Sequence, residues 1–400
     1  MSASNYIAYH VHSDMSLLDS CTQFNDYVDL ASELGQSALA CTEHGRINEW
    51  FAKKRYAESK GIKFIHGVEC YLTKSIDEKV RDNYHTILLA RNYDGFLELN
   101  ELLSKSWDKD DGHFYYANRI TFDEFLGISD NIISTSACLA SPLNKLDMLD
   151  PYYERLVKKY TYLEIQAHDH PDQRDFNVHL ATLAERYNKK LIAGTDTHNS
   201  SMYKEECRRI LLKSKHQSYG DEDSFDLTYK TYDELVEMFR RQGILPEKLY
   251  LQAIDNTNEM AEMCEEYEID CSIKYPILYG SEQEDEKKYF EVIDTMFAEK
   301  LANGVIPEEQ REEFESRLAE EKQVLSKIGM NGFMLSMSEL LSHFKNEGMK
   351  FGPSRGSVGG SAAAYVTDII DLNPVTWDTI FSRFCNEDRV EVGLDRAYVR

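Results

Sequence analysis

Cationic residues are scarce in this chain of 400 residues, where 45 Lys and Arg face 70 Asp and Glu and leave a net charge of -25 at pH 7. Duplex binding is driven largely by Lys and Arg neutralising phosphates, so the balance argues against a self-sufficient DNA binder unless basic elements lie on another chain. Long apolar runs are missing as well. No stretch approaches the length of a membrane span, and the segment from Met1 to Ala8 has no basic region followed by an apolar one. A cytoplasmic protein is therefore expected. The eight cysteines are scattered without C-x-x-C spacing, which excludes a zinc ribbon or a disulfide framework and reads as reduced thiols. Repeats and low-complexity tracts are absent too.

What is present is an alternation of short β-type runs with helical segments from residue 1 to about 197. The runs are 6–9, 37–41, 62–65, 85–90, 132–135, 162–165 and 191–193, and Gly61 closes the helical stretch 47–59 just past Lys60. Such alternation predicts an α/β fold with a mostly parallel sheet, in which ligands gather where strands end. Four clusters stand at such ends: His10-Val11-His12, Glu43-His44, Glu69 and Asp196-Thr197-His198.

Histidines at i and i+2 on an extended segment point to one side, so His10 and His12 can share an ion. Alone this motif is weak. Joined to Glu43, His44, Glu69, Asp196 and His198 it becomes strong, because mixed carboxylates and imidazoles suit Zn, Mn or Fe. A cluster this rich predicts more than one ion and phosphoester hydrolysis. His85 and Cys138, taken alone, read as core residues, and His66 and His168 as substrate-side neighbours of the site.

Beyond residue 201 the chain reads as mostly helical. An acidic loop lies around 220–223, and Thr231 with Glu234 forms a capping-box pattern. The carboxylates between Glu308 and Lys322 read as a solvated helix face. A helix over 331–345 and a short strand at 349–351 precede the Gly-rich loop 352–361, which leads into an apolar helix over 362–367. Small residues let backbone N–H groups approach an anion, and Arg355 would add a bidentate partner for phosphate. A tight loop packed for steric reasons explains the glycines equally well.

The series H-x-H-S, T-E-H-G, G-x-E, a strand histidine, S-x-C-L and D-x-H, in this order, resembles the polymerase and histidinol phosphatase (PHP) domain. Its form is similar to the one that opens the family C replicative DNA polymerases, the bacterial DNA polymerase III alpha subunits. The resemblance implies a distorted seven-stranded β/α barrel holding three metals, Zn or Mn, on nine ligands. Those fall on His10, His12, Glu43, His44, Glu69, His85, Cys138, Asp196 and His198, with His12, Glu69 and Asp196 as the catalytic members. Glu43 departs from the Asp usual in the family, a carboxylate longer by one methylene. It also implies three regions: 1–210 a phosphoesterase domain, 211–280 a helical connector, and 281–400 thumb-like helices with a partial palm. Residues 327–333, 351–361, 368–374 and 381–390 carry that second part of the likeness. Arg355, Gly356 and Ser357 are expected to contact a nucleotide triphosphate.

The implied activity is 3'-5' exonuclease proofreading within a DNA-directed DNA polymerase. The family's P-D-x-D palm pattern is not found after Val390, where the chain reads Glu391 to Arg400 with Asp395 as its only Asp. A split, truncated or interrupted polymerase is therefore expected, unable to polymerise alone and needing Mg for a completed palm. Expected partners are DNA, a second chain supplying the rest, and a sliding clamp. The competing expectations are a free-standing phosphoesterase on pyrophosphate or small phosphate esters, and a metal-stabilised scaffold without turnover.

Overall fold

Nine strands follow in chain order: β1 (Ala38–Cys41), β2 (Lys63–Thr73), β3 (Tyr84–Ala90), β4 (Phe114–Tyr115), β5 (Ala117–Asn118), β6 (Ile120–Thr121), β7 (Ile132–Thr135), β8 (Tyr162–Gln166) and β9 (Lys190–Gly194). They come from a computed structural model that describes residues 5–77, 79–218, 225–271 and 275–386. The expectations for the acidic loop at 220–223 and for the tail from 389 onward lie outside the described residues. The chain divides into two units, Met1–Glu268 and Ile269–Arg400.

In the first unit one seven-stranded sheet runs in the order β1-β2-β3-β7-β8-β9, with β6 beside β2. It is a curled, mixed sheet wrapped by helices, the distorted barrel expected. It departs from the predicted parallel pattern at one strand, since β3 is antiparallel to both β2 and β7. The turn between β2 and β3 is too short for the helical crossover that a parallel pair requires. Residues 6–9 are buried and extended without forming a regular strand. They continue into residues that bond to both sides of the curl: Ala40 N–H donates to Ala8 (3.1 Å), Thr42 N–H to Val11 (2.9 Å), and His12 N–H to Thr197 (2.8 Å).

Alternate residues of each strand enter two different cores, as a pleated strand requires. Leu39, Val68, Leu88 and Leu163 pack beneath the helices. Ala38, Ala40, Ile65, Ile87, Leu89, Ile133 and Ile192 form a separate inner cluster with Met260 and Cys264. Helix Glu247–Met263 covers the barrel's lower end, where Lys63, first residue of β2, donates to the carbonyls of Ala261 (3.0 Å) and Cys264 (2.9 Å). The opposite rim is left for chemistry. Helix Tyr232–Gln242 begins at the capping box read from Thr231 and Glu234, and it buries Leu235 and Phe239 in the same core.

The second unit packs helices Glu282–Ala302, Arg311–Lys327 and Asn331–Asn346 around Tyr289, Phe314, Leu325, Leu335 and the short helix Ala362–Val366. No strand forms at 349–351. The solvated face expected over 308–322 has one exception, Glu321, which is buried. Its carboxylate accepts hydrogen bonds from Ser361 Oγ (2.7 Å) and from the backbone N–H groups of Ala362 (2.6 Å) and Ala363 (2.9 Å). The helix end that the glycine pattern offered to a phosphate is thus already capped by a side chain of the same unit. Gly360 sits so close to Ile380 that a Cβ would collide with its carbonyl, so at this position the steric reading holds. Arg355, Gly356 and Ser357 remain exposed.

Candidate metal centre

The H-x-H and D-x-H motifs pair with one another at the upper rim. Val11 and Thr197 form a parallel bridge, and Thr197 N–H donates to the His10 carbonyl at 2.9 Å. Their flanking residues, His10 and His12 on one segment and Asp196 and His198 on the other, are therefore brought side by side. A second parallel bridge joins His44 to Glu69. Glu69 lies inside β2 and not at its end, because β2 runs on to Thr73 to pair with β3 and β6. Across the ladder Glu69 faces Ile87 and Tyr71 faces His85, so Glu69, Tyr71 and His85 share one face. The reversed direction of β3 is what carries His85, near that strand's beginning, to the rim where the other strands finish.

The backbone is held in the left-handed region at Leu18 (φ 70°), Ala137 (φ 57°) and Asp196 (φ 45°). Such conformations are rare without glycine and persist where surrounding structure enforces them. Two of these residues directly precede side chains that reach the rim, Asp19 and Cys138, and the third is itself a candidate ligand.

Three groups of donor atoms each fall within 4.8 Å: His12, His44 and His198; His10, His12 and Glu69; Glu69, His85 and Cys138. Asp196 joins them, with Oδ1 3.2 Å from His10 Nε2 and 3.3 Å from His12 Nε2. His10 Nε2, His12 Nε2, Glu69 Oε1 and Asp196 Oδ1 are buried without a well-formed hydrogen bond, although Glu69 Oε1 lies 2.8 Å from His85 Nδ1. Leaving buried polar atoms unpaired costs roughly 1–3 kcal/mol each. Four of them turned toward one another, among further imidazoles and a thiol, fit cations held between them. The residues present therefore suit a multi-metal group. A cavity of about 160 Å³ is lined by Glu69 and Asp196 but not by His10 or His12, and is walled also by Tyr71, Leu139, Phe225 and Leu227.

Second partners orient the imidazoles. His10 Nδ1–H donates to Glu164 Oε1 at 2.7 Å, and that carboxylate also accepts from Thr135 Oγ1 and Gln166 Nε2. Burial disfavours charge on His10, but Glu164 and Asp196 hold it well above the ordinary imidazole range; a cation displacing the Nε2 proton would leave Nδ1–H on Glu164, the usual way a carboxylate fixes a metal-binding tautomer. His198 Nδ1 bonds the Asp196 carbonyl at 2.8 Å, which likewise aims its Nε2 inward. Burial and the neighbouring His44 and His198 push His12 down to about 3, so it is neutral, the form that ligates. Burial disfavours charge on Glu69 and Asp196, but the imidazoles of His85, His44 and His10 hold both carboxylates well below their ordinary range.

Glu43 is the expected ligand that the structure does not bring into the cluster. Its carboxylate accepts from Lys53 Nζ (2.7 Å), from Ser13 N–H (3.0 Å) and from the hydroxyls of Ser13 and Ser16. Its link to the centre is indirect, since Ser16 Oγ, bonded to Glu43, lies 3.2 Å from His12 Nδ1. The carboxylate that does enter is Asp19, absent from the expectations. Its Oδ2 stands 2.9 Å from His44 Nε2 and 3.2 Å from His198 Nε2, while Arg208 grips Oδ1 at 2.6 Å. Asp19 follows a tight turn and not a strand, so a search of strand ends passes it over. Glu164 had a readable signal, a carboxylate inside the apolar run 162–165.

His66 and His168 also lie outside the cluster. His66 packs among Trp50, Phe64 and Phe96. His168 stacks on Phe225, one ring removed from the cavity.

Comparison with known proteins agrees with this geometry. A family model described as the PHP domain matches residues 8–168, and one described as the bacterial DNA polymerase III alpha NTPase domain matches residues 291–393. Curated relatives named DNA polymerase III subunit alpha include those of Campylobacter jejuni (27% identical; 97% of this chain, 35% of the relative), Borreliella burgdorferi (28%; 97% and 34%) and Aquifex aeolicus (25%; 98% and 36%). Among solved structures, a histidinol phosphate phosphatase of Lactococcus lactis, complexed with Zn, L-histidinol and phosphate, shares 14% identity. It covers 54% of this chain and 95% of its own at a TM-score of 0.29. The chain spans about a third of the length of the curated relatives named above. Its first part is thus similar to the PHP domain and its later part to the bacterial DNA polymerase III alpha domain, and the chain is similar to the alpha subunits of DNA polymerase III along nearly all of its length.

Proposed function

We propose that the rim is a multi-metal phosphodiesterase site, with the 3' end of a DNA strand as its substrate. The observation that carries this reading is the cluster of buried imidazole and carboxylate donor atoms around His10, His12, Glu69 and Asp196, beside a cavity of about 160 Å³ that Glu69, Asp196, His44 and His198 line. The ligands would be His10, His12, Asp19, His44, Glu69, His85, Cys138, Asp196 and His198, holding up to three ions of Zn or Mn, with His12, Glu69 and Asp196 nearest the reaction. When bound, such ions polarise a phosphate ester and supply hydroxide near neutral pH.

The chain's own residues do the rest. Glu164 keeps His10 in the tautomer whose Nε2 faces inward, and Ser16, held by Glu43, does the same for His12. Arg208 fixes Asp19 and lines the cavity, placing a cation where a substrate phosphate would enter. Leu139, Phe225 and Leu227 restrict water.

In a longer polypeptide of the alpha-subunit type this activity would serve proofreading. Residues 1–210 would be its phosphoesterase part, 211–280 the connector and 281–400 the polymerase-side part. There Arg355, Gly356 and Ser357 would touch a nucleotide, and a second chain would supply the palm carboxylates with their Mg and the contacts to a sliding clamp. The setting would be the cytoplasm, and the described residues contain no helix long and apolar enough to cross a membrane. Polymerisation by this chain alone is not expected.

The test is a substrate panel with purified chain and Mn or Zn: single-stranded DNA ends, pyrophosphate, a sugar phosphate and a bis-aryl phosphodiester reporter. Hydrolysis of DNA ends and of the reporter, abolished by His12→Ala and Asp196→Ala, is expected. A strong preference for pyrophosphate or the sugar phosphate would overturn the exonuclease reading, and unchanged hydrolysis in both variants would overturn the site.

A further inference from the structure

Beside the metal centre stand two arginine–aromatic stacks that the hydrolytic chemistry does not use. The first is Arg81 over Tyr116, with the guanidinium carbon 3.6 Å from the ring centroid. Tyr116 is the tip of the β4–β5 hairpin, in the left-handed region (φ 64°) and 66% exposed. A large aromatic ring placed in the open at a conformationally costly position is not explained by packing. The second stack is Arg46 over Trp107, 5.3 Å from the centroid, with Phe114 stacked against the same indole at 5.4 Å. Lys109 lies 5.2 Å over the Phe114 ring.

Both stacks are tied to the rim. Arg46 is two residues past His44, and Arg81 is two residues before Asn83, which lines the metal cavity. Asn118, in the hairpin, donates to the Gly45 carbonyl at 2.8 Å, so close that a Cβ on Gly45 would collide with its amide. From the other side the buried Arg119 donates to the Val80 carbonyl at 2.7 Å. Between the Gly45–Asn48 loop and helix Tyr93–Ser106 lies a recess of about 530 Å³ with Trp107 and Arg46 in its walls.

Arg46, Arg81 and Lys109 gather here among exposed acids, of which Asp108 accepts from the backbone N–H of Asp110 and Asp111 from the backbone and ring of His113. Among the described residues neither Arg46 nor Arg81 forms an ion pair with a carboxylate, so both guanidinium groups are available to a phosphate or a base.

We infer that this hairpin and the loops around it form a stacking platform for the unpaired bases of a single nucleic-acid strand whose terminal phosphodiester lies in the metal cavity. Aromatic rings and guanidinium planes are the surfaces on which unpaired bases stack, and such stacking tolerates any sequence. Pyrophosphate or a sugar phosphate would have nothing to place there. The inference rests on the phosphodiesterase reading for its direction, but its test does not.

Binding of a 5'-fluorescein oligothymidylate is measured by anisotropy in chelator, so that no hydrolysis occurs, and a bis-aryl phosphodiester reporter is assayed separately with Mn or Zn. Trp107→Ala with Tyr116→Ala should weaken oligonucleotide binding by about tenfold or more at unchanged melting temperature. Tyr116→Phe, which keeps the ring, should bind as the parent does. Reporter hydrolysis should be equal in all of these. The platform is overturned if the parent does not bind, if the double variant binds equally well, or if Tyr116→Phe loses as much as Tyr116→Ala. If the reporter is hydrolysed by none of them while oligonucleotide binding still falls in the double variant, the phosphodiesterase reading fails and the platform stands.

Discussion

Lys53 Nζ lies 2.7 Å from Glu43 Oε1, and both side chains are buried beneath the metal rim. Removing one partner of such a pair strands a charge, so Lys53→Met should destabilise the protein by about 3–5 kcal/mol, whereas Lys53→Met with Glu43→Leu should lie close to the parent. Urea unfolding of the three proteins decides this. Burial would raise the Glu43 carboxyl, but Lys53 and the two serines outweigh it and bring it down to about 2 from 4.5. A depressed carboxyl stabilises the fold above its unfolded value and loses that contribution as pH falls toward 2. The parent should therefore lose more stability than the double variant between pH 4.5 and 2.

Asp19 and Glu43 should separate cleanly in metal content. Asp19→Asn is expected to lower bound metal and reporter hydrolysis by about 100-fold. Glu43→Gln should act mainly on stability. Elemental analysis beside the hydrolysis assay distinguishes them, and equal metal loss in both would restore Glu43 as a direct ligand.

Gly194 gives the Glu164 side chain room to reach His10, since a Cβ there would collide with Glu164 Oε1. Gly194→Ala should displace that carboxylate and weaken metal binding by about 10- to 100-fold, although residue 194 touches no ligand atom itself. Competition with a chromophoric chelator measures the change. Unaltered affinity would mean that His10 keeps its orientation without Glu164.

Glu321 should give the second unit the opposite pH response from Glu43. Burial raises its carboxyl to about 7 despite the three donors it accepts. A raised carboxyl adds stability that is complete below about 4.5 and is lost as pH climbs through 7. Hydrogen exchange at Ala362 and Ala363, corrected for intrinsic rates, should show protection falling over that interval. In Glu321→Gln the decline should vanish.

Residue type and order were enough to read an α/β sheet with imidazoles and carboxylates at strand ends, whereas the barrel, His85 and Cys138 came only with the resemblance to the PHP domain. Strand direction was not readable. β3 looks like its parallel neighbours in composition, and only pairing reveals that His85 reaches the rim from the strand's start. Nor could spacing tell Glu43, held by the buried Lys53, from Asp19, which faces His44 and His198. In the second unit the glycines signalled an anion site, and the anion proved to be Glu321, forty residues earlier in the chain.

The bridge between Val11 and Thr197 imposes an order on biogenesis. A polypeptide emerging from the ribosome displays His10 and His12 almost at once, yet their partners Asp196 and His198 are synthesised nearly two hundred codons later. Until then their segment has only its contacts with the first strand, Ala40 N–H to Ala8 and Thr42 N–H to Val11, and the side of the cluster that Asp196 and His198 form is missing. Completion of the cluster is therefore a late event in the maturation of this domain, and a nascent chain arrested before β9 would emerge without the Asp196 and His198 side of it.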